Sequence, residues 1–151
     1  MANFPPTWVV VADSARARIF EWTGPNTSLN ELVDLTNSQA RLREQELTSD
    51  RPGMAFGSQG HGRRRMQNPK SEVDNSIVTF AHDIAAELKT GLDQHTYERF
   101  VLVAPPEFLG QLRAQLDAQV SKRLVESVSR NLAKEDKSVI QEHLPKLPTI
   151  A

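Results

Sequence analysis

The sequence contains no cysteine, and its apolar residues never form a run long enough to cross a bilayer. Without cysteine there are no disulfides, thiol nucleophiles, zinc ribbons or iron–sulfur clusters, and a reducing cytoplasm is the expected location. Aromatic residues make up only 6% of the chain. The first residues lack the basic-then-apolar pattern of a secretion signal, so we expect neither export nor a membrane-spanning helix.

Net charge is also nearly absent, because 18 basic residues oppose 19 acidic ones. The chain as a whole is therefore not a general binder of polyanions. Its 151 residues suffice for a sizeable core, and 38% apolar with 25% charged residues is the composition of a globular protein. We predict a single domain over 1–151, since no linker divides the chain.

The positive charge is concentrated in residues 51–70, called the basic segment below. The segment has no acid, and its five cations are Arg51, Arg63, Arg64, Arg65 and Lys70. The rest of the chain then has 13 cations against 19 acids, a net charge of −6. Four of the seven glycines lie in the segment as well. Such backbone is costly to order, so the pattern predicts a mobile, glycine-rich loop projecting from an acidic body.

Short apolar and alternating runs predict five strands. Residues 8–12 and 100–104 are continuous apolar runs rich in β-branched side chains, which is typical of strands buried on both faces. Residues 17–22 follow the first run closely enough to form a hairpin, and 29–36 alternate as a third strand. Residues 124–128 include polar positions, so we predict a fifth strand at an edge of the sheet.

Helical spacing is clearest between residues 73 and 92, where apolar side chains recur every three to four positions. Ser71, followed by Asp74, resembles a capping box and predicts the start of this helix. Pro106 opens a second helix after the strand at 100–104, and residues 138–144 predict a short last one. Strands followed by helices, with an opening hairpin, predict an α/β fold of three layers around a mixed five-stranded sheet.

Asp13 is the first candidate for chemistry, because it ends the first buried strand, where α/β proteins often bind ligands. A nuclease with two metal ions needs several carboxylates on neighbouring strands, and Asp13 has no evident partner. We therefore predict that Asp13 forms a turn. The four histidines lack zinc-protease spacing, and GxSxG and Walker motifs are absent. We predict no metal and no cofactor.

The basic segment is the second candidate. Gly57, Ser58, Gln59 and Gly60 stand just before its three consecutive arginines. Arginine contacts phosphates bidentately, and glycine lets the backbone approach closely. In a site that excludes water, the amide and backbone N–H of Gln59 can position a water molecule or stabilise an oxyanion. We therefore predict that Gln59 is the catalytic tip and that the cations bind phosphate.

Three stretches resemble the bacterial host-attachment protein family: WVVVADSARARIF at 8–20, SDRPG at 49–53 and LVAPPEFLGQLR at 102–113. Members of that family are described as required for attachment to host cells. The resemblance covers nearly the whole chain, and the family is similar to the middle domain of archaeal and eukaryotic peptide-chain release factors. It implies a ribonuclease-H-like fold, with strand order 3-2-1-4-5 and an antiparallel second strand.

In release factors the corresponding loop carries Gly-Gly-Gln, which enters the ribosomal peptidyl-transferase centre and promotes hydrolysis of peptidyl-tRNA. By this resemblance Gly57 matches the first glycine and Gln59 the glutamine, whereas Ser58 stands where the motif has its second glycine. We expect no codon-reading domain to flank these 151 residues, so the resemblance implies ribosome rescue without codon choice, or binding of ribosomal RNA or tRNA. Arg51 and Lys70 would contribute at the base of the loop.

Three hypotheses about function stay open at this point. The first is a cytoplasmic protein that binds ribosomal RNA or tRNA, with peptidyl-tRNA hydrolysis as its activity if it has one. The second is an attachment-related protein without enzymatic activity, acting indirectly from the cytoplasm. The third is a metal-dependent nuclease using Asp13. We take the first as our prediction, because it alone uses both the basic segment and Gln59.

Overall fold

The computed structural model describes residues 4–40, 42 and 69–148, with the side chains of 69–74 excepted. Its strands are β1 (Thr7–Ala12), β2 (Arg16–Trp22), β3 (Asn30–Thr36), β4 (Arg99–Ala104) and β5 (Leu124–Ser129). Its helices are α1 (Pro69–Asp93), α2 (Pro106–Gln115), α3 (Ala118–Ser121) and α4 (Lys137–Glu142). The fold is therefore α/β, as predicted.

The strands form one mixed sheet in the order β3-β2-β1-β4-β5, which confirms the order that the resemblance implied. β1 pairs antiparallel with β2 and parallel with β4, so that Val10 lies opposite Ile19 on one side and Leu102 on the other. β3 is antiparallel to β2, and β5 is parallel to β4. Consequently β1, β3, β4 and β5 point the same way, and their ends meet at one side, here called the carboxyl edge.

The centre of the sheet is buried on both faces. Every residue of β1 and β4 is buried, which confirms the prediction from their continuous apolar runs. Val10 and Leu102 belong to a cluster with Ile84 of α1 on one face. Val9 belongs to a second cluster with Ile140 of α4 on the other face. Helices thus cover the sheet on both sides, and the three predicted layers are present.

Some boundaries differ from the predictions. α1 begins at Pro69, two residues before the predicted start at Ser71. Proline is well suited to a first helical turn, because its φ is already helical and the amide hydrogen it lacks would have no partner there. α4 spans Lys137–Glu142 instead of 138–144, and α3 was not predicted. With only four residues, α3 is too short for apolar spacing to reveal.

Tyr97, the one tyrosine of the chain, carries a prediction about alkaline stability. Its side chain is 2% exposed, and its hydroxyl donates to the Leu88 carbonyl at 2.6 Å. Burial raises the pKa of Tyr97 above its ordinary value of 10.0, because the apolar surroundings disfavour the phenolate. Because the pKa of Tyr97 is higher in the folded state than in the unfolded state, the neutral phenol contributes fully to the free energy of unfolding below about pH 10. This contribution is lost as the pH rises towards the folded-state pKa.

We therefore expect the tyrosinate absorbance to appear only together with the loss of the folded circular-dichroism signal. The measurement is a spectrophotometric titration of the wild type beside Tyr97→Phe, which lacks the titrating phenol. Reversible ionisation near pH 10 in a protein whose circular dichroism is unchanged would contradict the prediction.

Candidate functional site at the carboxyl edge

The turn between β1 and β2 is held by the side chain of Asp13. Its Oδ1 accepts hydrogen bonds from the backbone N–H of Ala15 at 2.8 Å and of Arg16 at 2.9 Å. The Asp13 residue is only 6% exposed. These contacts confirm that Asp13 forms the turn, because one carboxylate oxygen accepts hydrogen bonds from the backbone N–H groups two and three residues further along the chain.

Asn37 ties three elements together at the same edge. Its Nδ2 donates to the Ser14 carbonyl at 3.0 Å and to Ser76 Oγ on α1 at 3.2 Å. Its backbone N–H donates to the Ala15 carbonyl at 2.9 Å. Asn37 follows β3 directly, so it joins the end of that strand to the β1–β2 turn and to the beginning of α1. Sequence reasoning missed it; an asparagine immediately after a strand was the available signal.

Two depressions lie along the carboxyl edge, and together they are called the edge groove below. The first has a volume of ≈ 480 Å³ and is lined by Thr36, Asp83 and other polar side chains between β3 and α1. The second, of ≈ 800 Å³, lies between the β1–β2 turn and α2 and is lined by Asp13 and Glu107 among others. Asn75 lines both depressions, so they adjoin each other.

The edge groove is polar and carries negative charge. Its described lining consists of amides, hydroxyls, carboxylates and a few apolar side chains, with no lysine or arginine. Such a surface offers hydrogen bonds to neutral polar groups, but its carboxylates repel phosphate. The cations predicted to bind phosphate all belong to the basic segment.

Most of the predicted site residues lie outside the described residues. These are Arg51, Gly57, Ser58, Gln59, Gly60, Arg63, Arg64 and Arg65. Lys70 is the second residue of α1, and its side chain is not described. The structure does place the elements on either side of the segment, since β3 ends at Thr36 and α1 begins at Pro69. Thr36 at the end of β3 and Asn75 near the start of α1 both line the edge groove.

Within residues 4–40, 42 and 69–148, no three His, Asp or Glu side chains come together in a way that could hold a metal ion. Among the helices of those residues, none is both long enough and apolar enough to cross a membrane.

Comparisons with known proteins agree with this architecture. The family model described as "Protein required for attachment to host cells" matches residues 8–144. A comparison with curated protein sequences finds no match. The structure resembles the crystal structure of the archaeal translation termination factor aRF1, with a TM-score of 0.52 and 11% identity, over 92% of this chain and 35% of that one.

A structure named "Archaeal protein" is also similar, with a TM-score of 0.45 and 14% identity, over 91% of this chain and 36% of that one. The chain therefore spans about a third of the length of these two structures. At such low identity the likeness to aRF1 establishes the fold alone.

Proposed function

The chain belongs to the host-attachment protein family, and on that premise we propose that it is a cytoplasmic, ribosome-associated protein that binds ribosomal RNA or tRNA. The observation that carries the proposal is the charge of residues 51–70, which hold five cations and no acid. Phosphate backbones attract such clusters strongly, and arginine suits them because its planar guanidinium makes two parallel hydrogen bonds to one phosphate.

The charge of the rest of the protein supports the same proposal. Outside the basic segment the chain has a net charge of −6, and the edge groove, lined by Thr36 and Asn75 among others, has carboxylates in its lining. A nucleic acid would therefore be held through the basic segment and repelled by the carboxylates of the edge groove. This arrangement favours a contact limited to a small region of RNA over wrapping of RNA around the whole molecule.

The finer part of the proposal concerns chemistry on the bound tRNA. The termination factor aRF1 shares the fold, and Gln59 follows Gly57-Ser58 in the basic segment. In the proposed reaction a water molecule attacks the ester carbonyl carbon that joins the peptide to tRNA. The bond between the carbonyl carbon and the ester oxygen breaks, the peptide leaves as its carboxylic acid, and the departing tRNA oxygen takes the remaining proton of the water and becomes a hydroxyl. Gln59 would position the water or stabilise the developing oxyanion.

We expect Arg63→Ala/Arg64→Ala/Arg65→Ala to lose most of its binding to ribosomes. Each phosphate that is neutralised releases counterions, so the logarithm of the affinity falls as the logarithm of the salt concentration rises. In the triple variant this fall should be less steep, with a slope smaller in magnitude by about 2. The measurement is co-sedimentation of purified protein with bacterial ribosomes over a series of salt concentrations.

A matched control removes the same charge elsewhere. Arg113→Ala/Lys122→Ala/Lys137→Ala takes three cations from exposed positions on or beside α2, α3 and α4. It should pellet with ribosomes as the wild type does. Equal loss in both triple variants would make the effect one of net charge, and binding that does not depend on salt would refute the RNA contact.

Attachment to host cells without enzymatic activity is the alternative function. The match of the family model over residues 8–144 favours it. It is supported if the protein never pellets with ribosomes at any salt, while cells that lack it attach poorly and the triple arginine variant restores attachment.

A further inference from the structure

The larger depression of the edge groove, ≈ 800 Å³ in volume, lies where the parallel neighbours β1 and β4 end. Asp13 directly follows β1, Pro105 directly follows β4, and both line the depression. From these two strands the chain leaves in opposite directions, to β2 on one side and through α2 to β5 on the other. Open α/β sheets bind ligands in the crevice at such a point, and the volume suits a small organic molecule.

Asp13 places a carboxylate in the wall of this depression. The residue is 6% exposed, and the two hydrogen bonds that hold the turn both end on its Oδ1. The ion pairs of the described residues join other side chains. Among those residues the only enclosed side-chain nitrogen or oxygen atoms without a partner are Trp22 Nε1 and Arg99 Nη2, so Asp13 Oδ2 is accessible. A mostly buried carboxylate with one open oxygen favours a cationic donor.

The rest of the lining fits a cation that carries an apolar body. Glu107, in the first turn of α2, adds a full negative charge, which outweighs the partial positive charge of the helix end. The described lining holds no lysine, arginine or histidine, and Phe108 and Ile77 give it an apolar part. No three His, Asp or Glu side chains of the described residues come together, so an organic ammonium, which needs fewer oxygen ligands, fits better than a metal ion.

We propose that this depression binds a small organic cation, a primary amine with an apolar body. The ammonium group donates to Asp13 Oδ2 and lies in the negative field of Glu107. The apolar body packs on Phe108 and Ile77. This site goes beyond the proposed contact with RNA, because it attracts positive charge whereas the basic segment attracts phosphate.

The backbone N–H of Ala15 provides a direct test, because it donates to the Asp13 carboxylate. Its signal in a nitrogen–proton NMR spectrum reports on the site, and the indole N–H of Trp22, at the opposite edge of the sheet, is the internal reference. Phenethylamine and hexylamine are the probes, with phenylethanol and hexanol as neutral partners of the same shape. We expect the amines to move the Ala15 signal in a saturable way, and the alcohols to bind about ten-fold more weakly.

Three variants that each remove one negative charge separate this site from general surface charge. Asp13→Asn keeps an oxygen that can accept from the turn, and Glu107→Gln changes an exposed side chain, so circular dichroism should show both folded. Each should weaken phenethylamine binding several-fold. Glu142→Gln, at an exposed position of α4 outside the lining, should leave it unchanged.

Three results would overturn the proposal. They are no movement of the Ala15 signal with either amine, equal binding of amine and alcohol, or groove variants that bind phenethylamine as tightly as Glu142→Gln does. None of these measurements involves ribosomes, so their failure leaves the proposed contact with RNA untouched.

Discussion

Gln59→Ala is expected to lower the rate of peptidyl-tRNA hydrolysis on ribosomes by about 100-fold, while binding to ribosomes stays as in the wild type. The size of the effect follows from what the removal of one oxyanion-stabilising or water-positioning donor costs in other hydrolytic sites. In the proposed reaction the Gln59 amide would contribute only in the transition state, so its loss should appear in the rate and not in the affinity. The measurement is the release of labelled peptide from ribosomes whose peptidyl-tRNA cannot be extended.

The basic segment offers a matched control in Gln67→Ala, which removes an identical side chain from the same segment. This variant should hydrolyse peptidyl-tRNA at the wild-type rate. Two outcomes would contradict the prediction. In one, the wild type pellets with ribosomes but releases no peptide; in the other, the Gln59→Ala variant is as active as the wild type. Either would remove hydrolysis from the proposal and leave RNA binding as the function.

The second large effect is on the fold. Phe100→Ala should lower the free energy of unfolding by about 3–5 kcal/mol, because truncation of a buried phenylalanine leaves a cavity as well as losing its apolar burial. Phe100 is fully buried in β4, and its ring lies edge-on to Tyr97 with 5.7 Å between centroids. Domains of this kind have a total stability of about 5–15 kcal/mol, so the variant should be close to unfolding.

Urea denaturation followed by circular dichroism measures this effect. The control is Val125→Ala on β5, where the side chain is 43% exposed and truncation should change stability by less than about 1 kcal/mol. A Phe100→Ala variant with the same urea midpoint as Val125→Ala would show that the Tyr97–Phe100 contact is not part of a tightly packed core.

Much of the architecture was readable from local patterns. β1 and β4 are continuous apolar runs, and a strand with water on neither face needs no polar alternation, so burial on both sides followed directly. The helical spacing in α1 likewise reports the one face that meets the sheet. The order of the strands came from the family resemblance and not from periodicity, because periodicity records whether a face is buried and not which strand lies beside it.

The candidate site at the carboxyl edge could be predicted only in part from the sequence. The charge of the basic segment is a property of composition, so it needs no coordinates. The role of Asn37 needs them, because its amide joins Ser14 to Ser76, which are far apart in the chain. A polar residue that ends a strand is a common turn former, and nothing local reveals that it also bridges to a helix.

The sequence by itself thus determined the fold class, the buried strands, the long helix and the concentration of positive charge, because each depends on residues close together in the chain. Only the tertiary structure decided that Arg99 and Trp22 pack on one phenylalanine ring with unpaired donors. It also explains why residue 91 is glycine, since a Cβ there would collide with the ring of Trp8. These are contacts between distant segments, and the packing of the layers brings such segments together.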